Sequence, residues 1–226
     1  LTFKTLIMQN VVTYIIIFFT GLIMQAQTNV QRNAAAEPTK YQKGMQKAFQ
    51  LWQQNKSWEA ANVFERIATA ETDNWLPPYY VAQINVINSF TEKNETKLKA
   101  QLDKAQNFIN DAKAISKDNP DLMVLQAQLY TAWIVFDGQR YGMTYSPKAS
   151  ELYAKALAIA PQNPRIILTK AEWDMGSAKY FGQSVEPYCK EIQRAIDLFA
   201  TFKPQGEFYP SYGEERAKQI KAESCN

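Results

Sequence analysis

The sequence predicts an all-α chain: an antiparallel helix-hairpin solenoid of about four hairpins closed by a C-terminal capping helix. Three observations predict it. From Tyr41 onward, apolar residues recur at spacings of three and four, the period of amphipathic helices, and strand-type alternation is hard to find. Turn signals arrive at intervals of roughly 15–25 residues, among them Asn55-Lys56, Asp73-Asn74, Asp137-Gly138 and Gly182. The second helix of each prospective hairpin carries three residues spaced by four and then three: Ala60, Phe64, Ile67; Ala105, Ile109, Ala112; Ala149, Tyr153, Ala156; and Tyr188, Ile192, Ala195.

In chain order, residues 1–26 come first. They hold one charge, Lys4, and an apolar stretch from Val11 to Met24. That stretch suits the roughly 7–15-residue apolar region of a signal peptide and falls short of the roughly 20 residues needed to span a bilayer. A cut after Ala26 is expected, which places the protein in the periplasm or cell envelope. The alternative is an uncleaved anchor, with Leu6-Ile7-Met8 extending the run; a membrane association is expected only in that case. Residues 27–40 are polar and aperiodic and read as a flexible lead-in. Residues 41–204 carry the hairpins, and 205–226 a capping helix and tail with Ala217 and Ile220 facing inward.

Within the array, helix starts have a physical signature. An Asn or Asp side chain accepts a hydrogen bond from a free N–H of the first turn, and a following proline loses nothing there because its N–H would be unbonded anyway. Asp73-Asn74 before Pro77, Asn119-Pro120, Asn163-Pro164 and Ser146-Pro147 all read this way. Gly138 to Pro147 is thereby expected as a loop, 95–117 as a long second helix, and Lys179 to Ser184 as an insertion. Small residues at Ala48, Ala82 and Ala171 let the two helices of a hairpin approach closely.

On these residues the chain resembles the tetratricopeptide repeat family. Ala149, Tyr153, Ala156 and the closing Pro161 follow the second-helix pattern well, and Ala60, Phe64 and Ile67 follow it with the aromatic displaced by one place. The resemblance covers about 41–204 and is degenerate in the other two hairpins; other helix-hairpin solenoids are the alternative. It implies a non-catalytic module that binds a partner on the concave face lined by first helices. The residues so implied are Gln42, Met45, Phe49, Trp52 and Gln53, with Leu76, Tyr79, Gln83, Val86 and Ile87 in the second hairpin; the polar ones are the better groove candidates and the apolar ones also suit a core.

Composition narrows the chemistry. There is no histidine among 226 residues, so Ser-His and Cys-His nucleophile systems are excluded and zinc loses its usual ligand. The net charge of +3, from 25 basic and 22 acidic residues, forms no basic stripe, which argues against nucleic acid. No cofactor or metal is expected. Cys189 and Cys225 are the only cysteines, and in an oxidising compartment they are expected to pair.

The expected function is therefore a protein–protein interaction or assembly module of the envelope, with a protein or peptide partner. Two alternatives stand beside it. One is a small-ligand binder or enzyme with its site at the 136–147 loop, where Arg140, Tyr141 and Tyr145 cluster among glycines. The other is a membrane-anchored structural subunit, which requires residues 1–26 to be retained.

Overall fold

Helices account for nearly all the regular structure in a computed structural model that describes residues 37–225. The expected signal peptide and most of the lead-in lie outside the described residues. From Thr39 on the chain forms one compact unit. Its helices are α1 (Lys40–Gln53), α2 (Ser57–Ala70), α3 (Leu76–Ser89), α4 (Glu95–Ile115), α5 (Pro120–Phe136), α6 (Gly138–Ile159), α7 (Pro164–Tyr180), α8 (Glu186–Phe199) and α9 (Glu214–Ser224). No strand occurs among the described residues. The fold is an all-α array of antiparallel hairpins, α1/α2 to α7/α8, closed by α9.

The caps act as the side chains dictate. Thr39 accepts from the Gln42 N–H while the Gln42 side chain accepts from the Thr39 N–H, so two otherwise free donors are bonded. Asn74 accepts from Leu76 N, Asn119 from Asp121 N and Asn163 from Arg165 N, each at 2.9–3.0 Å. Asn55 (φ 61°) and Asp118 (φ 53°) turn the chain through the left-handed region, which these short polar side chains tolerate best after glycine.

One cap fails. Ser146-Pro147 does not start a helix: α6 runs from Gly138 to Ile159 with Pro147 inside it. Asp137 is the true cap, accepting from Arg140 N at 3.0 Å. The expected 138–147 loop is thus the first half of a 22-residue helix.

Packing follows the repeated triplets. Ala60, Phe64, Ala105, Ile109, Ala112, Ala149, Ala156, Ile192 and Ala195 are all fully buried, as are Ala48 and Ala82. One apolar cluster joins α1 to α5 and includes Phe208. A second joins α5, α6 and Ile166, and a third joins α7, α8 and α9 through Ile167, Ile192 and Ile220. First helices also meet across hairpins, α3 with α5 and α5 with α7, so each hairpin covers the face its neighbour cannot bury alone.

Residues 202–213 then leave α8 and run back across the first helices. Phe208 is 8% exposed and stands edge-on to Tyr41 at 5.6 Å and parallel to Phe49 at 6.0 Å. The Tyr80 hydroxyl donates to the Phe208 carbonyl at 2.7 Å. Gly213 ends the segment at φ 126°, where an added Cβ would lie 2.9 Å from Phe199, so only glycine fits.

Candidate functional site

The surface expected to bind a partner is largely closed. α3 is apolar on nearly every side and sits beneath the returning segment, so Tyr79, Gln83, Leu76 and Val86 are buried, and Met45 on α1 is fully buried. These residues form core and not an open groove. Phe49 and Trp52 are half-buried, with Phe49 edge-on to both Phe64 (5.2 Å) and Tyr80 (4.8 Å). Gln42 stays partly accessible, but its amide donates to Glu207 at 3.1 Å. Gln53 and Ile87 are exposed.

Beneath the returning segment lies a buried polar centre that sequence reasoning missed. Arg165 on α7 is 4% exposed and pairs with Asp121 on α5 at 2.5 Å. Its other terminal nitrogen approaches the Tyr79 hydroxyl at 3.3 Å, and its guanidinium lies 4.5 Å from the Tyr212 ring centre. Tyr79 and Tyr212 share a hydrogen bond of 2.9 Å. Burial raises the Tyr79 phenol well above its ordinary value, with the Tyr212 hydroxyl adding to it. This centre joins α3, α5, α7 and the returning segment, with Arg165 and Tyr79 buried and Tyr212 at the surface.

The other candidate region, 136–147, is open. Tyr141 and Tyr145 rise from successive turns of α6 against α5: Tyr145 stacks on Tyr130 at 5.0 Å and Tyr141 leans on Trp133 at 4.8 Å. Arg140 and the Tyr141 hydroxyl both reach Glu95 on α4, at 2.6 and 2.9 Å. The inward line of α6, Ala156, Tyr153, Ala149 and Tyr145, continues through Gly142 and Gly138. Tyr180 at the end of α7 lies 3.5 Å from where a Gly138 Cβ would be, whereas Gly142 and Gly176 have open space in that position. On α5, α6 and α7 and just after α7, large apolar side chains meet solvent: Val135 is 60% exposed, Met143 89%, Tyr180 68% and Phe181 72%. Tyr180 and Phe181 meet edge-to-face at 5.1 Å. The sequence signal for this patch is that aromatic pair beside Gly182, within the stretch Lys179 to Ser184 that reads as a plain insertion.

Cys189 on α8 and Cys225 after α9 are joined as a disulfide. Among the described residues, no group of three or more acidic or cysteine side chains is placed to hold a metal ion. No described helix is long and apolar enough to cross a membrane.

No protein-family model and no curated protein matches the chain. Among solved structures, it is similar to the HusA haemophore from Porphyromonas gingivalis, with a TM-score of 0.71 and 22% identity over 81% of this chain and 92% of that one. At that identity the likeness shows the fold alone. A thermophilic tetratricopeptide-repeat protein of Thermus thermophilus aligns at a TM-score of only 0.35, with 16% identity over 71% of this chain and 89% of that one, and carries no argument.

Proposed function

We propose that this chain is an exported, non-catalytic binding protein built of tetratricopeptide-like hairpins, and that its ligand seats at the open end of α5, α6 and α7. The observation that carries this reading is the set of exposed large apolar side chains on neighbouring helices, Val135 on α5, Met143 on α6, and Tyr180 with Phe181 at the end of α7, where Tyr180 lies beside Gly138. Large apolar side chains left this exposed are costly in water, and where they adjoin they mark binding surfaces. The disulfide supports an oxidising compartment, the periplasm or cell envelope.

A flat, largely apolar ligand suits the setting. Glycines on α6 and α7 leave backbone as the wall, and the rings of Tyr180 and Phe181 offer faces to lie against. The fold likeness to a haemophore makes a porphyrin the first ligand to test. Without histidine, any axial ligand to iron here would be a thioether such as Met143 or a phenol such as Tyr180, both known types of haem ligand. A protein partner on the same helices is the second reading, favoured by the charged side chains Arg140, Glu95 and Lys148 set against Tyr141 and Tyr145.

Hemin titrated into the purified protein and followed by its visible absorption tests the first reading. A saturable spectral change is expected, weakened at least tenfold in a Tyr180→Ala/Phe181→Ala variant that keeps its helical circular dichroism. No saturable change retires the porphyrin and leaves the protein partner. Equal binding by wild type and variant moves the site elsewhere.

A further inference from the structure

The returning segment does not seal the first helices completely. Between α1, the turn from α2 to α3 and residues 207–209 it leaves an open cleft of about 610 Å³. Three of its walls are aromatic: Tyr41, Trp75 and Tyr209. Trp75 and Tyr209 stand edge-to-face at 5.6 Å. Three carboxylates line it as well, Glu71, Asp73 and Glu207, and no lysine or arginine is among the side chains around it.

Glu207 accepts from two amides, Gln42 Nε2 at 3.1 Å and Gln46 Nε2 at 3.2 Å, which fix its position. The Tyr41 phenol is held above its ordinary range by burial and, further, by Glu71 and Glu207, against a hydrogen bond with Asn74 that lowers it. The three acids are not gathered closely enough to hold a metal ion. An aromatic wall offers a bare metal ion no ligand, but its negative ring face attracts an organic cation.

The geometry points to a binding site for an organic cation: an alkylammonium group seated against Tyr41, Trp75 and Tyr209, with Glu71, Asp73 and Glu207 supplying the opposite charge. The group can belong to a free amine or to a lysine side chain of another protein; the chemistry is the same. The site lies on the first hairpin, apart from the α5–α7 patch, and does not depend on that reading.

Isothermal titration of the purified protein tests it with three probes: spermidine, a blocked pentapeptide of four glycines around one lysine, and the same peptide with norleucine in place of lysine. Saturable binding is expected for at least one of the cations and not for norleucine, and it should weaken as salt is raised because exposed charge pairs are screened. Glu71→Gln/Glu207→Gln should weaken it at least tenfold. Spermidine binding without peptide binding assigns the site to free amines; peptide binding assigns it to a lysine of a partner. No saturation by either cation up to about 10 mM, a weaker affinity than a charge seated against three rings should give, overturns the proposal. So does equal binding of the norleucine peptide. If the double variant melts early, the exposed Asp73→Asn replaces it, and unchanged affinity there overturns the proposal as well.

Discussion

The two ends of the array use the same residue types to opposite effect. At α1 to α3, aromatic rings interlock: Phe49 touches Phe64, Tyr80 and Phe208, and Tyr80 is 2% exposed. At the far end of α5 to α7, Tyr180 and Phe181 stand in solvent. Local sequence does not distinguish them. The difference is whether another piece of chain arrives to cover the rings, and residues 202–213 cover only the first set. An aromatic face on a first helix is therefore not itself a sign of binding; an uncovered one is.

Removing the cover should have the largest effect. Phe208→Ala takes a nearly buried ring out of contact with Tyr41 and Phe49 and should cost about 3–5 kcal/mol in urea unfolding. A loss below about 1 kcal/mol would mean that the segment is not seated there, and the contrast between the ends would collapse. Cys189→Ala/Cys225→Ala frees α9 from α8; for a sequence separation of 36, loop-closure entropy gives about 3–4 kcal/mol, measured as a lower thermal midpoint.

A smaller change sharpens the comparison. Tyr80→Phe deletes the hydroxyl that donates to the Phe208 carbonyl and should cost about 1–2 kcal/mol while leaving the ring packing intact. Smallest of all, Tyr180→Ser/Phe181→Ser should change stability by less than about 0.5 kcal/mol, because those rings bury little. A larger loss by the same urea assay would show the second set to be structural after all.

The helices are legible because their signals are local. The triplet Ala149, Tyr153, Ala156 and the caps Asn119-Pro120 and Asn163-Pro164 each lie within one or two turns, and helix formation reads sequence at that range. Misreadings arise where distant contacts decide. Gly138, Gly142 and Pro147 punctuate a loop on paper, yet the stacking of Tyr145 on Tyr130 and Tyr141 on Trp133 holds the backbone helical through them. Tyr79 and Gln83 suit a groove on paper because nothing in α3 announces that residues 202–213 return over it. That segment has no helical period; its only advance notice is four rings, Phe202, Phe208, Tyr209 and Tyr212, within twelve residues. Arg165 gives no notice either, since a single basic residue after a capped proline resembles any surface charge.

The return of residues 202–213 also changes how the molecule must come together in time. A plain hairpin array can fold as it emerges, each unit resting on the one before it. Here Gln42 bonds Glu207 across 165 residues, and Tyr80 bonds Phe208 across 128. The hairpin α1/α2 gains its covering only once residues 202–213, far along the chain, have been made. Contacts of such long sequence separation slow folding and bind the array into one cooperative unit in place of a row of independent ones. A chain with that architecture stays incomplete until residues 202–213 are in place over α1 and α3.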